Sequence, residues 1–187
     1  MSHTSTKRSA IIKSAISIIE NQGLDKLTYA KIAKLSKLKI DTVKSIYKDI
    51  DGLVESVYKK TLKDEFVNSL KVTRQKYGHN PKLFLFHLIS GVLSGLINHP
   101  RILKAHFHGN FVNQDTNTTS ITLLRNFTDE VLQIILGPNP DPLLYDSTKL
   151  KLQQSISSIL FIGLFKDIFD HVNYTAWVKS LVDYILS

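Results

Sequence analysis

The segment from Thr28 to Tyr47 constrains the fold of this chain more than any other part of the sequence. Its apolar residues recur three and four positions apart, which is the spacing that places side chains on one face of a helix. The segment therefore predicts two short helices joined by a tight turn, which Leu38 fills. The positions predicted to face inward are Ile32, Ala33 and Leu35 on the first helix and Val43 and Tyr47 on the second.

The positive charge of the chain is concentrated around this segment. The net charge is +8; residues 1–63 hold thirteen Lys and Arg against six Asp and Glu, whereas residues 64–187 hold eleven against ten. A compact helical pair with a cationic outer face matches the DNA major groove, so the asymmetry favours a polyanion-binding protein. The alternative is a lysine-rich surface that is only solvated, since twenty of the 24 cationic residues are Lys.

Helical periodicity also accounts for the rest of the chain, and no stretch shows the alternation typical of a strand. The further helices are predicted at about 7–22, 52–77, 82–98, 101–111, 119–136, 147–171 and 173–186. The helix at 82–98 has no polar face and is expected to be buried on nearly all sides. Residues 137–144 hold three of the five prolines and predict a rigid irregular connection. The predicted fold class is all-α, with about nine helices.

Several residues are expected to begin or end these helices. Ser5 or Thr6 is predicted to cap the first helix, and Gly23 to end it with a left-handed residue. Thr28 is expected to cap the first helix of the pair. The long helix that follows the pair is expected to take its cap from Asp49 or Asp51.

Composition and motifs argue against several functional classes. The chain has no cysteine, no apolar run near the ~20 residues of a membrane span and no secretory signal, so we expect a cytoplasmic protein without a membrane partner. No nucleophile elbow, phosphate-binding glycine loop or His-Glu-Xaa-Xaa-His helix is present, which predicts a protein that is not an enzyme and needs no cofactor. His106 and His108 would lie about 200° apart on a helix, so no metal site is predicted.

Three features carry a resemblance to a known family. They are a lead helix ending in Gly23, then Thr28-x3-Ile32-Ala33, then Val43-x3-Tyr47 running into a helix that begins near Leu53. On these residues the chain resembles the TetR (tetracycline-repressor) family of bacterial regulators. The resemblance implies a helix-turn-helix DNA-binding domain at residues 1–50 and an effector-binding and dimerisation domain at 51–187. It further implies a homodimeric regulator, more often a repressor, that is released from its operator by a small ligand.

The sequence departs from the family pattern at four positions. Lys37 stands where the family usually has Gly in the turn, and Lys44 where it has an aromatic residue near the end of the second helix. Tyr47 replaces a later Phe, and Ile50 replaces the Lys that opens the long helix. A non-glycine residue in a left-handed turn costs about 1 kcal/mol, which a packed motif tolerates. Lys44 can still contact a phosphate as a point charge.

The resemblance also assigns roles to particular residues. Thr28 and Tyr29 would contact phosphate beside the free amides of a helix start. The complete predicted DNA-binding set is Thr28, Tyr29, Lys39, Asp41, Thr42, Lys44, Ser45 and Lys48. Ile40 would pack in the turn or meet a thymine methyl group. Lys7 and Arg8 would add flanking charge.

The remaining assignments concern the C-terminal part. The predicted ligand-binding residues are Phe66, Phe84, His87, His106, Phe107, Phe111, Arg125 and Phe127, with Phe86 and His108 on the same helices. They imply a small apolar or amphipathic ligand, although Phe residues at helical spacing also occur as plain core. The predicted dimer interface, whose apolar groups exceed what a monomer surface would carry, is Phe161, Leu164, Phe165, Ile168, Trp177, Leu181 and Tyr184.

Two further readings stay open at this stage. In the first, a TetR-like fold no longer binds DNA and instead binds a lipid or a small apolar molecule, a possibility that Lys37, Lys44 and Ile50 favour. In the second, a protein partner rather than a small molecule controls the regulator. Salt-dependent DNA binding separates the first reading from the main one, and the size of the interior cavity bears on the second.

Overall fold

The computed structural model describes residues 3–104 and 118–187 of the chain. Its helices are α1 (His3–Gln22), α2 (Tyr29–Ser36), α3 (Ile40–Ile46), α4 (Ile50–Leu62), α5 (Ser69–Tyr77), α6 (Pro81–Asn98), α7 (Thr118–Leu136), α8 (Pro142–Leu164) and α9 (Tyr174–Leu186). Residues 100–104 are also helical, and the rest of the helix predicted at 101–111 lies outside the described residues. No strand occurs in these two ranges, so the all-α prediction is confirmed.

The described residues form two compact units. The first contains residues 3–61 and 99–104, and the second contains residues 62–98 and 118–187. The division falls near the end of α4, where a π-helical segment, Lys63–Asn68, continues the helix into α5. The functional boundary after residue 50 stays a prediction.

Helix α1 anchors the first unit through one apolar stripe. Ile11, Ala15, Ile18 and Ile19 are buried, at the three- and four-residue spacing of one helix face. The helix begins at His3, so Ser5 and Thr6 lie inside it and are not its caps. It ends at Gln22 and is followed by Gly23, whose φ of 98° a side chain would strain.

Helix α2 buries a different edge from the one predicted. Ile32 and Ala33 are buried as expected, but Leu35 is 52% exposed. The inner face of α2 follows the i, i+3, i+4, i+7 series Tyr29, Ile32, Ala33 and Ser36, whose side chains are all buried or half-buried. Leu35 falls on the flank of that series, so its predicted inward position is wrong.

Helix α6 forms the centre of the second unit. Eight of its 18 residues are buried: Phe84, Leu85, Leu88, Ile89, Val92, Leu93, Gly95 and Leu96. The prediction that it is covered on nearly all sides is wrong, since Lys82, Leu83, Gly91, Ser94 and Asn98 are exposed. Its length and composition alone would also allow it to cross a membrane.

Helix α8 differs most from its prediction. It begins at Pro142 and ends at Leu164, rather than running over 147–171 after an irregular connection. Asp141 Oδ1 accepts hydrogen bonds from the amides of Leu143 (3.0 Å) and Leu144 (3.1 Å), which caps the helix. Pro142 is tolerated because the first helical residue needs no N–H donor within the helix. A short 3-10 turn, Lys166–Ile168, lies between α8 and α9.

Candidate functional site

The turn between α2 and α3 is built on a left-handed lysine. Lys37 has φ 57° and ψ 35°, and it is the only non-glycine residue with a positive φ in the described ranges. The amide of Leu38 donates to Ala33 O at 3.0 Å and that of Lys37 to Lys34 O at 3.4 Å. This pair of hydrogen bonds closes the end of α2. The left-handed conformation predicted at Lys37 is therefore confirmed.

Two further contacts fix the geometry of the helical pair. The hydroxyl of Tyr29 donates to the backbone oxygen of Tyr47 at 3.0 Å, which joins the start of α2 to the end of α3. Val43 and Tyr47 are buried, as predicted, while Leu38 in the turn is half-buried. The hydroxyl of Thr28 accepts from the amide of Lys31 at 3.3 Å, which confirms Thr28 as the cap of α2. The two helices are thus held in one arrangement from both ends.

Asp49 caps the helix that follows the pair. Its Oδ1 accepts from the amide of Gly52 at 2.6 Å, so Asp49 rather than Asp51 fills the capping role. Ile50 opens α4 in a half-buried position and offers no hydrogen-bonding group at its side chain.

The outer side of the pair carries the predicted contact residues. Lys39, Asp41, Lys44, Ser45 and Lys48 are exposed, and so is Thr28; Thr42 and Tyr29 are half-buried. Ser45 donates its hydroxyl proton to Thr42 O at 2.9 Å, which leaves its oxygen free to accept. Ile40 is exposed at the start of α3 and does not pack in the turn.

Lysines on this side have few partners. Lys31 donates to the side chain of Gln22 at 2.6 Å. Within residues 3–104 and 118–187, no ion pair involves the other lysines of the pair, which are Lys34, Lys37, Lys39, Lys44 and Lys48. Their charge is therefore not neutralised within the described chain and is available to an external anion.

Two cation–π contacts join residues far apart in sequence around the pair. The ammonium of Lys44 lies 5.7 Å from the centre of the Tyr29 ring, and the guanidinium of Arg8 lies 5.8 Å from the Tyr47 ring. The ring beside Lys44 comes from Tyr29, on the other helix of the pair. Sequence reasoning missed both contacts, because nothing local links α1 to Tyr47 or α2 to Lys44.

The interior of the second unit contains a small apolar cavity. Its volume is about 20 Å3, room for about one water molecule. Of the predicted ligand-binding residues, Phe66 and Phe127 line it, and their rings meet edge to face at 5.1 Å. The residues that sequence reasoning missed are Leu85, Leu88, Ile89, Val92, Leu152, Ser155, Ile156 and Ile159. Their helical spacing predicted core residues, and the same apolar residues line this small cavity.

The other predicted ligand residues are placed elsewhere. Phe84 is fully buried but does not line this cavity, and Arg125 is exposed on α7. His87 stacks on the Tyr77 ring at 4.0 Å, on a groove separate from the cavity, together with Phe86. The other predicted ligand residues, His106, Phe107 and Phe111, lie outside the described residues, and so does the neighbouring His108. No cluster of three metal-ligating side chains occurs among the residues that are described.

The predicted dimer residues lie on an apolar surface of α8, α9 and the turn between them. Phe161, Phe165, Ile168 and Tyr184 are exposed, whereas Leu164, Trp177 and Leu181 are half-buried. The rings of Phe161 and Phe165 lie 4.7 Å apart. This surface leaves large apolar groups in solvent, which is a feature of protein interfaces.

Two further leucines extend this surface, and sequence reasoning missed them. Leu143 is 81% exposed and Leu150 is also exposed. They precede Phe161 by eighteen and eleven residues, which are five and three helical turns, so all three side chains share one face of α8. The hydroxyl of Tyr184 donates to Gln154 on the same face and brings α9 beside it. The eleven- and seven-residue spacing in the sequence was the available signal.

Solved structures share this arrangement of helices. A TetR transcriptional regulator from Rhodococcus sp. RHA1 superposes with a TM-score of 0.61 at 14% identity, over 99% of this chain and 98% of the other. The chain has the TetR fold. FadR of Thermus thermophilus, a TetR-family transcriptional repressor solved with lauroyl-CoA, gives 0.58 at 15% identity, over 96% and 93% of the two chains.

A further neighbour widens the range of ligands seen on this fold. The multidrug binding protein EbrR, solved with imidazole, gives a TM-score of 0.60 at 13% identity, over 96% of this chain and 94% of the other. No protein-family model and no curated protein matches the sequence. At such low identities the superpositions show the fold and leave the function to the chemistry of the site.

Proposed function

We propose that this chain is a cytoplasmic, non-catalytic transcriptional repressor that binds double-stranded operator DNA as a homodimer. The observation that carries the proposal is the outer side of α2 and α3, where five exposed lysines form no ion pair within the described residues. In a helix-turn-helix protein this side faces the duplex, and the second helix enters the major groove. Residues 1–50 then form the DNA-binding domain, and 51–187 bind effector and partner subunit.

Within this proposal the residues of the pair divide into two roles. Lys39, Asp41, Thr42 and Ser45 on α3 read base edges; Asp41 accepts from a cytosine amino group, since it would otherwise repel the backbone. Thr28, Lys44 and Lys48 contact phosphates and fix the register. The hydroxyl of Thr28 still has its proton to donate, because its oxygen only accepts within the cap.

Tyr29 acts through its ring in this scheme. Its hydroxyl proton already goes to Tyr47 O, so a phosphate oxygen would have to compete for it. The ring lies 5.7 Å from the ammonium of Lys44 and restricts where that charge can sit. In this phosphate contact, Lys44 supplies the positive charge and Tyr29 supplies the aromatic surface beside it.

The apolar surface of α8 and α9 supports the homodimer. Phe161, Phe165 and Ile168 are exposed, and Leu143 and Leu150 lengthen the surface along α8. Packing two copies of this surface about a two-fold axis would bury these groups in a four-helix arrangement. The same axis would present two copies of α3 to successive major grooves of a pseudo-palindromic site.

The proposed effector is a small apolar or amphipathic molecule bound in the second unit. The cavity beside Phe66 and Phe127 has an entirely apolar lining apart from Ser155, whose hydroxyl donates to Lys151 O at 2.8 Å. A neighbour on this fold was solved with lauroyl-CoA. With a volume of about 20 Å3 the cavity must open before such a ligand can enter. The ligand therefore stabilises an opened conformation, and its effect on DNA binding is limited by its preference for that conformation.

The closed cavity also favours a second candidate function. A cavity of about 20 Å3 is far below the ~300 Å3 of an ordinary small-molecule site. In this candidate, a DNA-binding regulator is controlled by a protein partner and needs no interior ligand. The third candidate is a TetR-like protein that has lost DNA binding. Specific binding to a duplex would exclude it.

Selection of genomic fragments by the purified protein tests the proposal. Bound fragments should contain a pseudo-palindrome, and affinity for one selected duplex should be measured by fluorescence anisotropy over a range of salt concentrations. Neutralising several phosphates predicts a steep fall of log K with log salt, by about 0.9 per phosphate contacted. A shuffled duplex of equal length and composition is the matched control.

The outcomes separate the candidates. Preference for the selected duplex with a steep salt dependence supports a DNA-binding regulator. If no duplex is preferred, or affinity barely changes with salt, the regulator proposal fails and the lipid-binding alternative gains support. Adding apolar ligands to the protein–DNA complex then distinguishes control by a small molecule from control by a protein.

A further inference from the structure

The second unit carries an open groove that is distinct from the interior cavity. It lies between the start of α6 and the middle of α9 and has a volume of about 520 Å3. On α6 it is lined by Lys82, Leu83, Phe86 and His87, at the i, i+1, i+4, i+5 spacing of one helix face. The opposite wall comes from α9, and no residue is shared with the lining of the interior cavity.

The floor of the groove is apolar and aromatic, and its rings are held in place. His87 stacks on Tyr77 with ring centres 4.0 Å apart and planes at 8°. Phe86 meets the His87 ring edge-on, at 5.3 Å and 83°. Leu83 remains 44% exposed at the opening. Because the rings are stacked on one another, they present an apolar ligand body with a surface that is already formed.

The charged side chains at the rim of the groove have a net charge of one positive unit. Lys82 forms an ion pair with Asp183 at 2.7 Å, which leaves Lys179 as the unbalanced charge. Lys179 is exposed, one helical turn before Asp183 on the same face of α9, and it forms no ion pair within the described residues. One free ammonium beside an apolar floor complements a single negative charge. Asp183 would repel a ligand that carries more than one negative charge.

We propose that this groove binds a small amphipathic organic anion, with its apolar body on Leu83 and Phe86 and its single carboxylate on Lys179. The volume lies in the 300–1,000 Å3 range of small-molecule sites, which favours a compact ligand over a docked protein segment. The groove shares no residue with the predicted DNA-binding set or with the lining of the interior cavity.

The groove also remains accessible in the proposed homodimer. Lys179 follows Trp177 by two residues, which places the two side chains about 200° apart around α9. Trp177 is on the dimer side in our assignment, and the groove is therefore on the other side of the helix. A ligand there would be bound by each subunit separately, with a stoichiometry of one per chain.

Calorimetric titration of the full chain with decanoate tests the proposal, and decyltrimethylammonium serves as the cationic probe of equal chain length. We expect one decanoate per chain and at least tenfold weaker binding of the cation. Lys179→Ala should weaken decanoate binding at least fivefold, and Leu83→Ser should weaken it to a similar extent. Lys71→Ala, which removes an exposed lysine outside the groove, is the matched control and should change nothing.

Amide chemical-shift changes show where decanoate binds. Changes at residues 82–87 and 179–183 support the groove, and their loss in Lys179→Ala confirms the role of the ammonium. Changes confined to Phe66, Phe127 and residues 152–159 would place the ligand in the interior cavity and overturn the proposal. Equal binding of both probes, or no saturable binding at millimolar decanoate, would overturn it too. Thermal melts of each variant verify that the fold is intact.

Discussion

Lys37 holds a backbone conformation that usually belongs to glycine, in the turn on which the helical pair depends. Its φ of 57° costs about 1 kcal/mol relative to a right-handed residue, yet two hydrogen bonds at the end of α2 hold it there. The compensating gain is an additional positive charge in the middle of the cationic side. Lysine at this position therefore lowers local stability and adds positive charge to the proposed DNA-binding surface.

Replacing Lys37 by glycine should therefore stabilise the protein. We expect Lys37→Gly to raise the free energy of unfolding by about 0.5–1 kcal/mol, because relief of the left-handed strain outweighs the added freedom of the unfolded chain. Urea denaturation measures the change. Lys34→Gly, inside α2, is the control and should lower stability by about 1 kcal/mol. Destabilisation by both substitutions would refute the strain at Lys37.

Lys44 is the residue whose replacement tests the proposed contact surface. Lys44→Ala should weaken binding to the selected duplex about tenfold and reduce the salt slope by about 1, since one phosphate contact is lost. Tyr29→Phe removes the hydrogen bond to Tyr47 and keeps the ring under Lys44, so it should cost about 1 kcal/mol of stability and little affinity. Unchanged DNA affinity in Lys44→Ala would show that the contact surface is wrongly assigned.

At the scale of elements, helix α8 begins within a proline-rich segment because its first turn is capped. Three prolines within 137–144 predicted an irregular connection, but Pro142 occupies the first helical turn and Asp141 accepts from two amides of that turn. The helix consequently begins earlier and adds Leu143 to the face that carries Leu150 and Phe161. The cap thus sets the length of the proposed dimer surface.

Removing the Asp141 cap should loosen the start of α8. We expect Asp141→Ala to lower the free energy of unfolding by about 0.5–2 kcal/mol, because two amides lose their acceptor. Asp146→Ala, an exposed carboxylate inside the same helix, should change it by less than about 0.5 kcal/mol. Hydrogen exchange at Leu143 and Leu144 locates the effect, and unaltered exchange there would contradict the capping role.

At the scale of the whole molecule, the exposed apolar surface of α8 and α9 is the proposed homodimer interface. Phe161 is 51% exposed between Phe165 and Phe169, with ring centres 4.7 Å and 5.9 Å away. A cluster of three aromatic rings at the surface is the kind of anchor that dominates the energetics of an interface. The homodimer is the occupant that our proposed function requires.

Phe161→Glu should disrupt that homodimer. A carboxylate at the centre of an apolar contact would raise the dimer dissociation constant at least thirtyfold, which corresponds to about 2 kcal/mol. Analytical ultracentrifugation measures the dissociation constant. Val72→Glu, which places the same charge at an exposed apolar position on α5, is the matched control and should leave it unchanged. A monomeric native chain, or equal effects of both variants, would refute the interface.

Much of the fold followed from the sequence because its signals are local. The caps at Thr28 and Asp49, the left-handed turn at Lys37 and the buried stripe of α1 each depend on residues within a few positions of one another. Such signals act in the same way in any helical protein. They determined the all-α class, the helical pair and the placement of its cationic side.

The tertiary structure decided what local signals do not encode. Tyr29 meets Lys44, Arg8 meets Tyr47 and Phe66 meets Phe127 only because separate helices pack in one particular arrangement. The exposure of Leu35 and Leu143, the closed interior cavity and the open groove beside α6 depend on which faces neighbouring helices cover. Helical periodicity identifies an apolar face, but packing between helices determines whether that face becomes core, cavity, groove or interface.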